Sequence, residues 1–210
     1  MRTIKKVASH IFIDGFGGMT QGLFATLIIG TMIQQIGLLI GGSTGNVIYL
    51  LGKAAAALTS AGIGVGVAVK YGESPLVTVS AAVAAMVGGY AGKITGGTFF
   101  VDGNAVLAGP GEPLGAFIAA FAGITCGHLV SGKTKVDIIV TPVITIGAGS
   151  VVGLLVGPPI SQMMTGLGSI INWATEQRPF IMGIVVSVVM GMVLTLPISS
   201  AALGIILNLS

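Results

Sequence analysis

A single carboxylate carries most of the chemistry that the residue types and their spacing suggest. Glu112 stands in GPGEP, residues 109–113, where two glycines and two prolines impose an irregular backbone around it. A carboxylate held in this way suits two tasks: accepting hydrogen bonds from the hydroxyls of a polar solute, or exchanging a proton. Asp102 and Asn104, in VDGN, add an acceptor and an amide on the same segment, although DGN is equally an ordinary turn. A second locus is LTLPISS, residues 194–200. There Pro197 frees backbone carbonyls, and Thr195, Ser199 and Ser200 bring hydroxyls beside them, the arrangement of a broken helix at a solute site. The same letters also fit a proline kink healed by its Ser/Thr neighbours.

GHLVSGKT, residues 127–134, fits the phosphate-binding pattern G-x-x-x-x-G-K-[ST]. A phosphate loop needs a strand entering its glycine turn and a helix leaving it, so that backbone N–H groups converge on the anion. Here the upstream segment is an apolar helix, and the match is expected to be accidental. Gly132 then marks a helix end, with Lys133 and Lys135 as interfacial anchors. His128, near the same end, is expected to be solvated or packed. The sequence offers no catalytic residue, no cofactor-binding residue and no metal site. The only cysteine, Cys126, lies in an apolar run, and no Cys/His cluster has ligand spacing.

The elements that must position these groups follow from composition. Of 210 residues 53% are hydrophobic and only 7% charged, with 35 glycines. That is too little charge to cover a water-facing surface, and the glycine content suits helices that pack backbone to backbone in lipid. GITCG (123–127), GSVVG (149–153) and GLLVG (153–157) each have the small-xxx-small spacing of such contacts. A net charge of +3 without a basic cluster excludes a nucleic-acid footprint.

The expected architecture is an all-α integral membrane protein of about six spans, forming a single membrane domain over 1–210. Residues 1–14 are basic and amphipathic, suited to the cytoplasmic membrane surface, and the bundle covers 16–210. Spans are expected at about 16–40, 47–69, 76–92, 114–132, 138–156 and 180–196. Lys53 falls within the second of them, and the glutamines Gln34 and Gln35 within the first. GPP at 157–159 should stop the fifth span, leaving 161–176 as an interfacial helix with Trp173 at headgroup level. Residues 93–113 form a candidate re-entrant loop, since irregular backbone at membrane depth must be protein-buried or line a wet cavity. Lys and Arg distribution predicts a cytoplasmic N-terminus.

GFGGMTQGLFATLIIGTMIQQIG, GPGEPLGAF, SGKTKVDIIVTP, GLLVGPPI and INWATEQRPFIMGIVVSVVMGMVLTLPISSAAL together resemble the EIIC-like membrane proteins of the bacterial phosphotransferase system, in the perfringolysin-regulator-type subgroup. The resemblance implies a bacterial inner-membrane permease component that takes up a sugar or related polar solute. Separate cytoplasmic EIIA and EIIB proteins would phosphorylate the solute. It also implies a role for Glu112, because better-understood EIIC proteins use a glutamate in a Gly/Pro-containing re-entrant loop to bind sugar hydroxyls. Members of this kind continue past PISSAAL, so the chain is expected to be the N-terminal part of a longer architecture. Two other functions fit the residues: a membrane-embedded regulator without transport, and a secondary transporter or channel not coupled to phosphorylation. Partners expected besides the solute are the lipid bilayer and, through the glycine-rich faces, a second copy in a homodimer.

Overall fold

The computed structural model describes residues 14–175 and, beyond them, positions 183, 184, 187, 188 and 191. The described chain is helical apart from one short hairpin. Helix α1 covers Phe16–Ile40, with a π-helical turn at Phe24–Ile28. It is followed by α2 (Gly42–Ala57), α3 (Thr59–Lys70), α4 (Pro75–Gly89) and α5 (Ala91–Thr95). Strands β1 (Phe100–Val101) and β2 (Asn104–Ala105) pair antiparallel, and then come α6 (Pro113–Val130) and α7 (Asp137–Thr175).

Among the described residues α1, α6 and α7 are long and apolar enough to cross a membrane, and the bent pair α2–α3 makes a fourth crossing if counted as one. Helix α4 is apolar but shorter. The outward faces match this reading: Leu39 is 86% exposed and Ile138 72%, exposures that suit lipid rather than water.

Helix α1 and the α2–α3 pair form an antiparallel hairpin. Gly41 and Gly42 reverse the chain with φ of 67° and 63°, a region that side chains with a Cβ rarely enter. Along the hairpin glycines face backbone. A Cβ on Gly18 would lie 2.6 Å from the Gly66 carbonyl, one on Gly30 2.8 Å from the Gly52 carbonyl, and one on Gly37 2.7 Å from the Gly45 carbonyl. Only hydrogen fits at such an approach, and the gain is dispersion between backbones along the seam.

The three small-xxx-small segments pack as their spacing predicted. Gly123 and Gly149 meet at the α6–α7 contact, while Gly153 and Gly157 place α7 against Gly88 and Ala91. A buried core of Met19, Leu23, Ile63, Val67, Val77 and Ile124 joins α1, α3, α4 and α6.

Two expectations are corrected. The span expected at 47–69 is not one helix: it breaks at Leu58, with a 53° bend between α2 and α3. The segment 161–176 is no separate interfacial helix over its described part, because α7 continues through Pro158 and Pro159 to Thr175. The two prolines remove two helical N–H donors, but the glycine contacts at 153 and 157 hold this stretch against α4 and α5. A membrane helix tolerates proline where neighbours fix its path. At about 1.5 Å per residue, its 39 residues exceed the roughly 30 Å hydrocarbon core. The span expected at 180–196 lies outside the described residues apart from the five positions above.

GHLVSGKT is a helix end, as expected. Gly127–Val130 close α6, Ser131 caps it, and Gly132 turns with φ 73°. The Gly132 N–H is taken by Asp137 Oδ1 at 2.9 Å, and Lys133 Nζ caps the Leu129 carbonyl at 2.7 Å. This turn lies beside the turn after α3: the Ser74 and Ser131 hydroxyls are 3.0 Å apart. His128, 71% exposed, pairs with Glu73 at 3.0 Å.

Candidate solute-binding site

Three helix interruptions converge on Glu112. The α2–α3 break at Leu58, the α4–α5 junction at Tyr90 and the start of α6 at Pro113 are stitched together by polar contacts to the 108–112 strand. Ser60 Oγ, fully buried, donates to the Pro110 carbonyl at 2.9 Å. Tyr90 donates to the Gly109 carbonyl at 2.5 Å, and its hydroxyl also lies 3.1 Å from the carbonyl of Ala57, the last residue of α2. The Glu112 N–H donates to the Gly89 carbonyl at 2.6 Å. Lys93 Nζ donates to the Ala108 carbonyl and lies 5.5 Å from the Tyr90 ring centre.

These bonds divide the loop at Pro110. Residues 100–109 are exposed, whereas Pro110, Glu112 and Pro113 are buried. Gly109 and Gly111 make the turn with φ of 79° and 75°. At Gly111 a Cβ would meet Gly89 O and the Tyr90 ring at 3.1–3.2 Å, so the strand requires glycine both for its conformation and for its space.

Glu112 lines a cavity of about 400 Å³ together with Gly89, Gly92, Lys93, Ser161 and Thr165. That volume lies in the range of small-molecule sites, roughly 300–1,000 Å³. The carboxylate is the N-cap of α6, but its cap contact is long, 3.5 Å from Oε1 to the Leu114 N–H. Most of its acceptor capacity is therefore unspent. Burial in this loop pushes the carboxyl up to about 7 against the partial relief from Leu114 N–H, so at neutral pH it is divided between charged and neutral forms.

Of the site residues expected from the sequence that lie among the described residues, only Glu112 lines the cavity. Asp102 and Asn104 form the exposed tip of the β1–β2 hairpin, where Asp102 has φ 50° and Asn104 Nδ2 donates to the Asp102 carbonyl at 3.4 Å. Neither lines the cavity with Glu112. Thr195, Ser199 and Ser200 lie outside the described residues. Sequence reasoning missed Ser60, Tyr90, Ser161 and Thr165. For the last two a signal existed: Ser161, Thr165 and Ser169 recur every four residues, which places three hydroxyls on one helical face.

Among the described residues, interrupted apolar helices around one buried carboxylate are those of an all-α membrane protein. The family model for the phosphotransferase system EIIC proteins matches residues 13–210, and the chain belongs to that family. No curated protein and no solved structure matches it.

Proposed function

We propose that the chain, as an EIIC permease component, binds a sugar in the Glu112 cavity and passes it across the membrane for phosphorylation by cytoplasmic EIIA and EIIB proteins. The observation that carries this reading is the buried, under-used Glu112 carboxylate, held against Gly89 by its own backbone N–H at the mouth of α6. A carboxylate accepts two vicinal hydroxyls at once, and charge-assisted bonds of this kind are about twice as strong as neutral ones. Asp102 and Asn104, out on the hairpin, are assigned no direct contact. The hydroxyls of Thr195, Ser199 and Ser200 are proposed as the complement to Glu112 from the later part of the chain.

The test is ligand-dependent thermal stability of the detergent-purified protein across hexoses, hexitols, amino sugars and sugar acids. A ligand present at about 100 times its dissociation constant stabilises by roughly 2.7 kcal/mol. At least one neutral sugar should shift the native protein and leave Glu112→Gln unmoved. A panel with no response, or equal responses from both proteins, overturns the assignment of Glu112.

A further inference from the structure

The Glu112 cavity is one of two adjoining spaces. The second, about 480 Å³, is lined by Thr95, Gly96, Pro158, Gln162, Gly166 and Ser169. Gly92, Ser161 and Thr165 line both, so the two lobes lie side by side across these residues. Their lining chemistry differs. The first lobe holds a carboxylate and the Lys93 ammonium, whereas the second holds neutral hydroxyls and one amide, with no charged side chain.

Three hydroxyls of the second lobe are oriented by their own helices. Thr95 donates to the Ala91 carbonyl at 2.9 Å, Thr165 to the Ser161 carbonyl at 2.8 Å and Ser169 to the Gly166 carbonyl at 2.7 Å. Each proton is spent within the helix, so each oxygen is left to accept. A row of fixed acceptors, with the Gln162 amide to donate, matches a guest rich in O–H donors and carrying no charge. A phosphate or carboxylate there would meet lone pairs and no cation.

From this pairing we infer that the solute has two units: one held at Glu112, and a second, uncharged polyhydroxy unit lying in the lobe along Ser161, Thr165 and Ser169. A disaccharide or glycoside of two neutral rings is such a molecule. The inference rests on the Glu112 reading and specifies the substrate class at that site.

Equilibrium binding of monosaccharides and of the disaccharides built from them tests it, measured on the native protein, Glu112→Gln, Gly166→Leu and Ser169→Ala. A Cβ at Gly166 meets nothing within 4 Å, so the leucine side chain has open space at its root on the wall of the lobe. Ser169 is exposed, so its truncation leaves the packing intact. The expected result is a disaccharide that binds about tenfold or more tighter than its own monosaccharide, by roughly 1.4 kcal/mol or more. Gly166→Leu should abolish that advantage and Ser169→Ala reduce it, with monosaccharide affinity unchanged in both. Glu112→Gln should weaken both ligands. Glu112-dependent monosaccharide binding without any disaccharide advantage, or equal weakening of both ligands by Gly166→Leu, overturns the two-unit inference alone. Absence of any Glu112-dependent sugar binding overturns the underlying reading as well.

Discussion

Glu112→Gln should stabilise the protein at pH 8 and leave it unaffected at pH 5. The carboxyl is pushed from 4.5 to about 7 because folding buries it, so the folded state holds a proton that the unfolded chain releases. Across the interval from 4.5 to about 7 the folded protein binds more protons, and stability falls as pH rises. The full effect is present below 4.5 and lost above about 7, a difference of about 3 kcal/mol at 1.36 kcal/mol per unit. Between pH 5 and pH 8 most of this is traversed, about 2.5 kcal/mol. Glutamine resembles the protonated form in shape and neutrality and should remove the slope. The assay is the thermal midpoint of unfolding in detergent at half-unit steps from pH 5 to 8, native and variant side by side. The native midpoint should fall by several degrees, on the order of 5–10 °C if scaling for soluble domains of this length applies, while the variant stays level. A native midpoint that is flat or rises, or a variant that follows the native slope, would refute the claim that Glu112 is the buried group responsible.

Three further substitutions probe the scaffold, again by thermal or denaturant unfolding. Gly30→Ala places a methyl 2.8 Å from two backbone atoms, Gly52 O and Ala56 N, which no side-chain rotation relieves, and should destabilise by about 1–3 kcal/mol. Gly147→Ala, with nothing within 4 Å, should instead be neutral or gain up to about 1 kcal/mol of helix propensity. Ser60→Ala leaves the buried Pro110 carbonyl without its 2.9 Å donor and should lower stability by about 1–3 kcal/mol. Sugar affinity should fall with it, since the strand carrying Glu112 loses a tether. A Ser60→Ala protein of native stability and affinity would contradict that role.

How much of this could be seen in the sequence depended on how local the cause was. Helix α1 falls at the expected 16–40 because an apolar run meets glycines at 41 and 42 that only a turn accommodates. Glu112 was visible because the unusual backbone around it is written in its immediate neighbours. The break at Leu58 was not visible, because AAALTS contains neither glycine nor proline. What meets the break, Pro110 against Ser60 and Tyr90 against Ala57, comes from 50 and 33 residues away. Pro158 and Pro159 misled in the other direction: a local rule against proline gave way to glycine contacts supplied by α4 and α5. Asp102 and Asn104 share a segment with Glu112, yet the loop turns inward only at Pro110, which leaves them on the far side of that division. The hydroxyls of α7 were obscured because the moderate polarity of 161–176 suggested a membrane surface rather than a cavity wall.

The glycine seam between α1 and the α2–α3 pair behaves like a rack in which every tooth is a missing methyl. Sliding either helix along the other by one residue would bring a side chain to the place where only hydrogen fits, at Gly18, at Gly30 and at Gly37 alike. The three helices therefore travel as one piece, tied to the 108–112 segment through the Ser60 hydroxyl and through the single proton that Tyr90 holds within reach of two carbonyls.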